Sequence, residues 1–162
     1  MPKAVWHAAE EGDAQAVAAW LHGGGGVDAR CAERGDVTLL IVASNGGQEA
    51  MVRMLLQRGA SVNLQSSFGW TALRAAAAAG DTTIVQALLD AKADASLRDN
   101  NGKTALMWAE DYKNTATAQL LRQHAKTAEA EAAVMHAAAT APTPNLSGRR
   151  VRIFDLKPTP EP

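Results

Sequence analysis

The sequence has little of several features that mark common protein classes. Its 162 residues include one cysteine, Cys31, and aromatic residues make up only 4% of the chain. A single cysteine excludes an intramolecular disulfide framework and a cysteine-based zinc cluster. No apolar run is long enough to span a bilayer, and the N-terminus lacks the basic and then apolar stretch of a secretory signal. These absences favour an intracellular protein, cytoplasmic or nuclear.

Net charge is also nearly absent. The chain carries 16 Lys and Arg against 17 Asp and Glu, which gives a formal charge of −1. Such a balance gives no reason to expect nucleic-acid binding. Hydrophobic residues make up 47% of the chain, enough for one domain with a buried core. Alanine dominates this apolar content, and alanine suits short helices that pack closely together.

What the sequence does contain is a fixed period. The stretch 68–81 returns in residues 101–110, where Thr104 matches Thr71. Thr38 precedes Thr71 by the same interval as Thr71 precedes Thr104. A constant period of about 33 residues predicts a repeat array, in which each unit stacks on its neighbours.

These residues resemble the ankyrin repeat, in which a Thr opens a short helix, a Gly ends it, and Gly-Ala-Asp-Val-Asn closes the unit. Thr71 and Gly80 take the first two places, and residues 59–63 read Gly-Ala-Ser-Val-Asn. The Thr hydroxyl can cap free backbone N–H groups, and paired alanines let neighbouring helices approach closely. The resemblance implies an all-α fold, an ankyrin-repeat α-solenoid whose helix-turn-helix units are joined by short β-hairpin loops.

The spacing divides residues 3–125 into four predicted repeats. Their ranges are 3–33, 34–66, 67–99 and 100–125. The interval from Val27 to Thr38 is two residues longer than that from Val62 to Thr71, so we expect an enlarged hairpin loop after the first repeat. In the fourth repeat Lys113 stands where the helix-ending Gly is expected.

The sequence after the repeats changes character twice. Residues 126–141 are rich in alanine and predict a helix, whose Val134 and Met135 are expected to dock on the last repeat as a C-terminal cap. A loosely helical linker is the alternative. Two prolines then break the helix, and 142–162 is predicted to be a mostly extended tail. Within it, 151–156 alternates as a short strand would; it is predicted to dock on the array, to add to a partner's sheet or to begin a further domain.

No enzymatic arrangement is visible. Residues 102–104 read Gly-Lys-Thr, like the end of a phosphate-binding loop, but Leu97 stands where that loop requires its first Gly. Partners at metal-ligand spacing are lacking for all four histidines, which are His7, His22, His124 and His136. We therefore expect no enzymatic activity, no cofactor and no metal site.

The resemblance implies that the chain binds another protein. In the family, hairpin tips and the exposed ends of the first helices form a concave surface that grips a partner. The tip residues at these positions are Asp36, Val37, Ser67, Phe68, Trp70, Asn101 and Lys103. The first-helix residues at these positions are Asn45, Ala78, Ala79, Asp111 and Tyr112.

The tryptophans are expected to play two different roles. Trp70, beside Phe68, occupies a position with no structural duty in the repeat, and tryptophan is favoured at binding hot spots. The alternative is that Trp70 folds back over the adjacent hairpin. Three tryptophans are predicted to be structural, namely Trp6, Trp20 and Trp108, although Trp108 has the alternative of bordering the groove with Tyr112.

The sequence thus predicts a monomeric adaptor or scaffold that binds a protein or peptide through the concave surface, and neither nucleic acid nor a membrane. One alternative is an inhibitor that acts by occupying its partner. Another is a targeting module for a catalytic or zinc-binding domain that would follow the tail.

Overall fold

The structure is a computed structural model that describes residues 1–140. The described residues fall into two units, one from Met1 to Glu129 and one that begins at Ala130. Within the described residues there are eight α-helices and one two-stranded sheet. The helices are α1 (Lys3–Glu11), α2 (Ala14–His22), α3 (Leu39–Asn45), α4 (Glu49–Gln57), α5 (Ala72–Ala79), α6 (Thr82–Asp90), α7 (Ala105–Asp111) and α8 (Thr115–Thr140).

The threonines of the repeat open three of the first helices, as predicted. Each lies in extended backbone directly before its helix, and its hydroxyl accepts a hydrogen bond from the backbone N–H three residues later. This bond satisfies one of the free N–H groups at a helix start. The three caps are Thr38 for Ile41 at 3.3 Å, Thr71 for Arg74 at 3.1 Å, and Thr104 for Met107 at 3.4 Å.

The core is built from columns of equivalent residues. Leu55, Leu88 and Leu121 recur at the repeat period in the second helices and are all buried. An alanine column runs beside them through the first helices, and its members Ala43, Ala76 and Ala109 have no exposed surface. The first helices pack in sequence, α1 on α3, α3 on α5 and α5 on α7. Small side chains at these contacts allow close packing, while each buried leucine contributes about 1.5–3 kcal/mol.

The sheet is the hairpin after the first helix pair. Strand β1 (Arg30–Cys31) pairs antiparallel with β2 (Val37–Thr38), with Cys31 opposite Val37. Between the strands the chain forms a short 3-10 helix, Ala32–Arg34. This turn accommodates the predicted enlargement of the loop, which lies between Arg30 and Asp36 as expected.

Polar side chains join one hairpin region to the next. The carboxylate of Asp28 accepts hydrogen bonds from the backbone N–H and the hydroxyl of Ser61, at 2.8 and 2.6 Å. The side-chain amide of Gln65 donates to the carbonyl of Arg98, in the following repeat, at 2.9 Å. These bonds span one repeat each, so they fix the stacking register beyond what apolar packing specifies.

Helix α8 runs through the boundary predicted near residue 125. The second helix of the fourth repeat and the alanine-rich segment form one helix, Thr115–Thr140. The reason is local: residues 123–128 contain neither Gly nor Pro, and most of them are good helix formers. Val134 and Met135 are 69% and 78% exposed, and their docking on the last repeat stays a prediction. The predicted tail 142–162, with its strand 151–156, lies outside the described residues.

Helices able to cross a membrane were sought among the described residues. None of those helices is both long enough and apolar enough to span one.

Candidate partner-binding surface

A cleft opens where the first hairpin meets α1, α3 and the loop before α5. Its volume is about 260 Å³. Apolar side chains form most of its wall, with Trp6 contributed by α1 and Trp70 by the loop before α5. The remaining lining residues are Glu10, Arg34, Val37, Ile41, Val42, Asn45, Gly46 and Ala75. We call this feature the cleft.

One wall of the cleft is an indole covered by a cation. The guanidinium carbon of Arg34, from the 3-10 helix, lies 4.2 Å from the centroid of the Trp6 ring. Trp6 is 8% exposed, as predicted for a structural residue, yet its Nε1 has no hydrogen-bond partner within the described part of the chain. Trp6 therefore serves the core and shapes the cleft at the same time.

The predicted aromatic pair, Phe68 and Trp70, is real. Their ring centroids are 5.2 Å apart with an interplanar angle of 37°. Phe68 is 49% exposed, and its ring lies so close to Gly35 that an added Cβ there would fall 2.3 Å from the ring. Phe68 thus covers the neighbouring hairpin, while Trp70 is half-buried and lines the cleft.

Arg74 links two tryptophans. Its guanidinium carbon lies 4.1 Å from the centroid of the Trp70 ring and 4.2 Å from that of Trp108. Stacking on indole faces is favourable for a guanidinium, by about 0.5–2 kcal/mol per ring. Burial lowers the pKa of Arg74 from its ordinary value, and the nearby Asp99 and Tyr112 act against that change.

Trp108 is held in place by Asp99. The indole N–H donates a 2.6 Å hydrogen bond to Asp99 Oδ2, and the backbone N–H groups of Asn101 and Lys103 donate to Oδ1 at 2.9 and 3.0 Å. Burial alone would raise the pKa of Asp99, but these hydrogen bonds and the charge of Arg74 together lower it below the ordinary range. The carboxylate is therefore ionised at neutral pH.

Beyond Trp108 the surface continues to Tyr112. The two rings are stacked, with centroids 5.8 Å apart and an interplanar angle of 24°, and Tyr112 is 59% exposed. The Lys103 ammonium lies 4.9 Å from the Trp108 centroid and 2.5 Å from Asp111 Oδ2. We call Phe68, Trp70, Trp108 and Tyr112, with Arg74 between the two indoles, the aromatic row. Trp108 thus lies against Tyr112, and its alternative role at the groove stays a prediction.

One predicted tip residue, Val37, is buried, with 8% of its surface exposed. The residue lies in β2 opposite the buried Cys31, so its side chain belongs to the core and reaches a partner only from the floor of the cleft.

Two other tip residues are committed to contacts between hairpins. The Ser67 hydroxyl donates to Asp36 Oδ2 at 2.9 Å, and the Ser67 carbonyl accepts from the Asn100 amide at 2.9 Å. Asp36 is half-buried with a left-handed φ of 57°. We infer that these two residues act mainly in joining the hairpins.

The remaining predicted residues flank the row or the cleft. Asn45 is exposed at the end of α3 and lines the cleft, and Asn101 is exposed in the last hairpin. Ala79 is exposed and Ala78 is half-buried at the end of α5. Their small side chains leave the end of α5 without projecting side chains.

Residues of the surface that were not predicted to belong to it include Trp6, Arg34 and Arg74, together with Asp99, which anchors Trp108. A signal existed for two of them. Trp6 and Arg74 both occupy the position where the ankyrin pattern has His, next to the position that faces the groove. For Arg34 and Asp99 the period offers no signal, because their roles depend on how the hairpin loops fold.

Among residues 1–140, no three His, Cys, Asp or Glu side chains converge as a metal site would require. The chemistry of the surface is that of recognition: flat aromatic faces, stacked cations and a shallow apolar cleft.

Stacked helix pairs that repeat with a fixed period, joined by hairpin loops, define a helical-repeat protein. A family model of ankyrin repeats, three copies long, matches residues 5–99 and 39–135. The chain belongs to the ankyrin-repeat family, and the predicted all-α ankyrin solenoid is confirmed. Ankyrin repeats are in general protein–protein interaction modules, and the family is typically non-enzymatic. A search of curated proteins found no match.

Proposed function

We propose that this chain is a non-enzymatic adaptor or scaffold that binds a partner protein through the aromatic row and the cleft. The observation that carries the proposal is the row itself. Phe68 and Tyr112, at its two ends, are 49% and 59% exposed, although burying them would favour folding. Large apolar side chains grouped on a surface mark interaction sites.

The row is also held rigid before any partner arrives. Trp70 and Trp108 are fixed by Arg74 between them, and Asp99 anchors the Trp108 indole. Because ordered side chains lose little freedom on binding, preorganisation lowers the entropic cost of association. Tryptophan, tyrosine and arginine are also the residues that most often dominate binding energy.

The test begins with affinity capture from the source cell, using the full-length chain as bait. The captured partner is then purified and its Kd measured for wild type, Trp70→Ala and Tyr112→Ala. Each substitution is expected to weaken binding by tenfold or more, since a hot-spot residue contributes about 2 kcal/mol or more. Circular dichroism must show an unchanged helical signal.

A matched control is offered by Val134→Ala. Val134 is 69% exposed and lies outside the row, so its substitution should leave Kd unchanged. A partner whose affinity survives Trp70→Ala and Tyr112→Ala but falls on substitution of Arg149 and Arg150 would contradict the proposal. In that case the tail carries binding.

A further inference from the structure

If the surface binds a protein as proposed, Arg74 indicates which chemical group that protein presents. No hydrogen bond of the guanidinium is made within residues 1–140, and its Nε is buried without a partner. The side chain as a whole is half-buried. A guanidinium carries five N–H donors, so this cation is desolvated and held between two rings while its donors stay unused.

Within residues 1–140, the carboxylate of Asp99 accepts no hydrogen bond from Arg74. Asp99 attracts Arg74 through its charge, but its oxygens already accept three hydrogen bonds, from Trp108, Asn101 and Lys103. The centroids of the Trp70 and Trp108 rings lie 4.1 and 4.2 Å from the guanidinium carbon. Because Nε is buried, the two terminal Nη groups are the donors left for a partner.

An edge of two parallel N–H donors fits a carboxylate end-on. The charges around Arg74 favour a bound group with one negative charge over a group with two. Lys103 is already paired with Asp111, and Asp99 stands beside Arg74. A phosphate dianion on Arg74 would therefore face the two carboxylates of Asp99 and Asp111.

The cleft lies directly beside this position. Trp70 contacts Arg74 with its ring and also lines the cleft, and Ala75, the next residue along α5, lies in the cleft wall. Val37, Ile41 and Val42 make the neighbouring wall apolar. A carboxylate on Arg74 and an apolar side chain in the cleft would thus be close enough to belong to one short peptide.

We infer that the partner presents a peptide segment in which an Asp or Glu, bound end-on by Arg74, lies beside an apolar residue whose side chain enters the cleft. This inference rests on the proposed function and specifies the partner chemistry at the same surface.

The probe is a random-peptide phage library selected against the full-length chain. Binders that lose affinity for Trp70→Ala are sequenced and synthesised, each with a matched peptide in which the acid is replaced by its amide. We expect an acidic residue beside an apolar one to be enriched. The amide peptide should bind wild type about tenfold more weakly, as for the loss of a charge-assisted hydrogen bond.

The decisive experiment compares the affinities of the acid and amide peptides for Arg74→Gln. In that variant the acid and amide peptides should bind within about twofold of each other. Arg53→Gln is the matched control: Arg53 is exposed on α4, where it pairs with Glu49, so the tenfold preference should persist. Circular dichroism and the thermal midpoint establish that both variants are folded.

The outcomes separate the inference from the proposed function. Trp70-dependent peptides without acidic enrichment would overturn the inference and leave the function standing. An acid preference that persists in Arg74→Gln would overturn it as well, as would tighter binding when phosphoserine replaces the acid. If no selected peptide depends on Trp70, both fail.

Discussion

The indole N–H of Trp108 and Oδ2 of Asp99 are joined by a 2.6 Å hydrogen bond. The same carboxylate accepts the backbone N–H groups of Asn101 and Lys103 through Oδ1. One buried side chain therefore closes the last hairpin turn and also orients an indole of the aromatic row. Folding of the loop and shape of the binding surface depend on the same ionised group.

The first prediction concerns pH. The pKa of Asp99 is lowered in the folded chain, relative to an ordinary value of about 3.9. Its contribution to the free energy of unfolding is therefore complete above about pH 4 and is lost as pH falls through the folded value. We expect the stability difference between wild type and Asp99→Asn to be largest at neutral pH and to shrink below pH 4. Urea midpoints measured across this range test it.

The control for that experiment is Asp94→Asn. The pKa of Asp94 is also lowered, by its hydrogen bonds from the Ser96 hydroxyl and backbone, but Asp94 is exposed and distant in sequence from the aromatic row. Only Asp99→Asn should also change the tryptophan emission spectrum at neutral pH. If the stability difference between wild type and Asp99→Asn stays constant from pH 7 to well below pH 4, ionised Asp99 does not stabilise the fold.

A second prediction follows from Lys113. Its φ is 59°, in the left-handed region, and Gly80, at the equivalent position of the preceding repeat, has a φ of 77°. Lys113 stands where the repeat has its helix-ending Gly, and it keeps the same left-handed turn at the cost of backbone strain. Left-handed backbone costs a non-glycine residue about 1–2 kcal/mol, partly offset by the greater freedom of glycine when unfolded. Lys113→Gly should therefore stabilise the chain by about 0.5–1 kcal/mol in urea unfolding.

Lys113→Ala separates backbone strain from loss of the lysine charge. Alanine has a Cβ and keeps the left-handed cost, so this variant should gain little or nothing. Equal stabilisation by Gly and Ala would show that the charge, and not the backbone, is responsible.

A third prediction concerns Asn114. Its side-chain amide donates to the carbonyls of Ala77 and Ala78, at 3.0 and 2.9 Å. Those carbonyls belong to the end of α5 in the preceding repeat, where the last carbonyls run short of intrahelical donors, although the Ala77 carbonyl also accepts from the Gly80 N–H at 3.3 Å. Asn114→Ala should lower the free energy of unfolding by about 1–3 kcal/mol, because partly buried acceptors lose their partner.

Asn114→Asp makes the test specific to the donor. Aspartate has the same shape but cannot donate, and it places a negative charge against two carbonyl oxygens. We expect it to destabilise at least as much as alanine. An Asp variant as stable as wild type would mean that the amide bonds contribute nothing.

The sequence predicted the fold well because the same physical requirements recur in every repeat. Thr71 and Thr104 must both cap a helix, and Leu88 and Leu121 must both fill a core layer, so the agreement of independent positions identified the repeat. The aromatic pair at Trp70 was found by the same reasoning, since its position in the repeat has no structural duty.

What escaped prediction depends on local geometry that the period does not encode. Val37 was assigned to the surface, but a two-residue strand gives no alternation from which to tell its inner face. Arg74 was overlooked because its importance arises from two rings in different repeats, Trp70 and Trp108. Helix α8 continues past the boundary predicted near residue 125, because a repeat register can end where a helix continues.

The last prediction tests the leucine column. Leu88 has no exposed surface, whereas Leu120 is only half-buried. Leu88→Ala should cost about 2–5 kcal/mol, through lost transfer energy and the cavity left behind. Leu120→Ala carries the same chemical change and should cost less than half as much. Each repeat contacts only its neighbours. Leu88→Ala should therefore also uncouple the unfolding of the repeats before it from that of the repeats after it, which would reduce the urea m-value. An unchanged m-value with a large loss of stability would indicate that the four helix pairs still unfold as one unit.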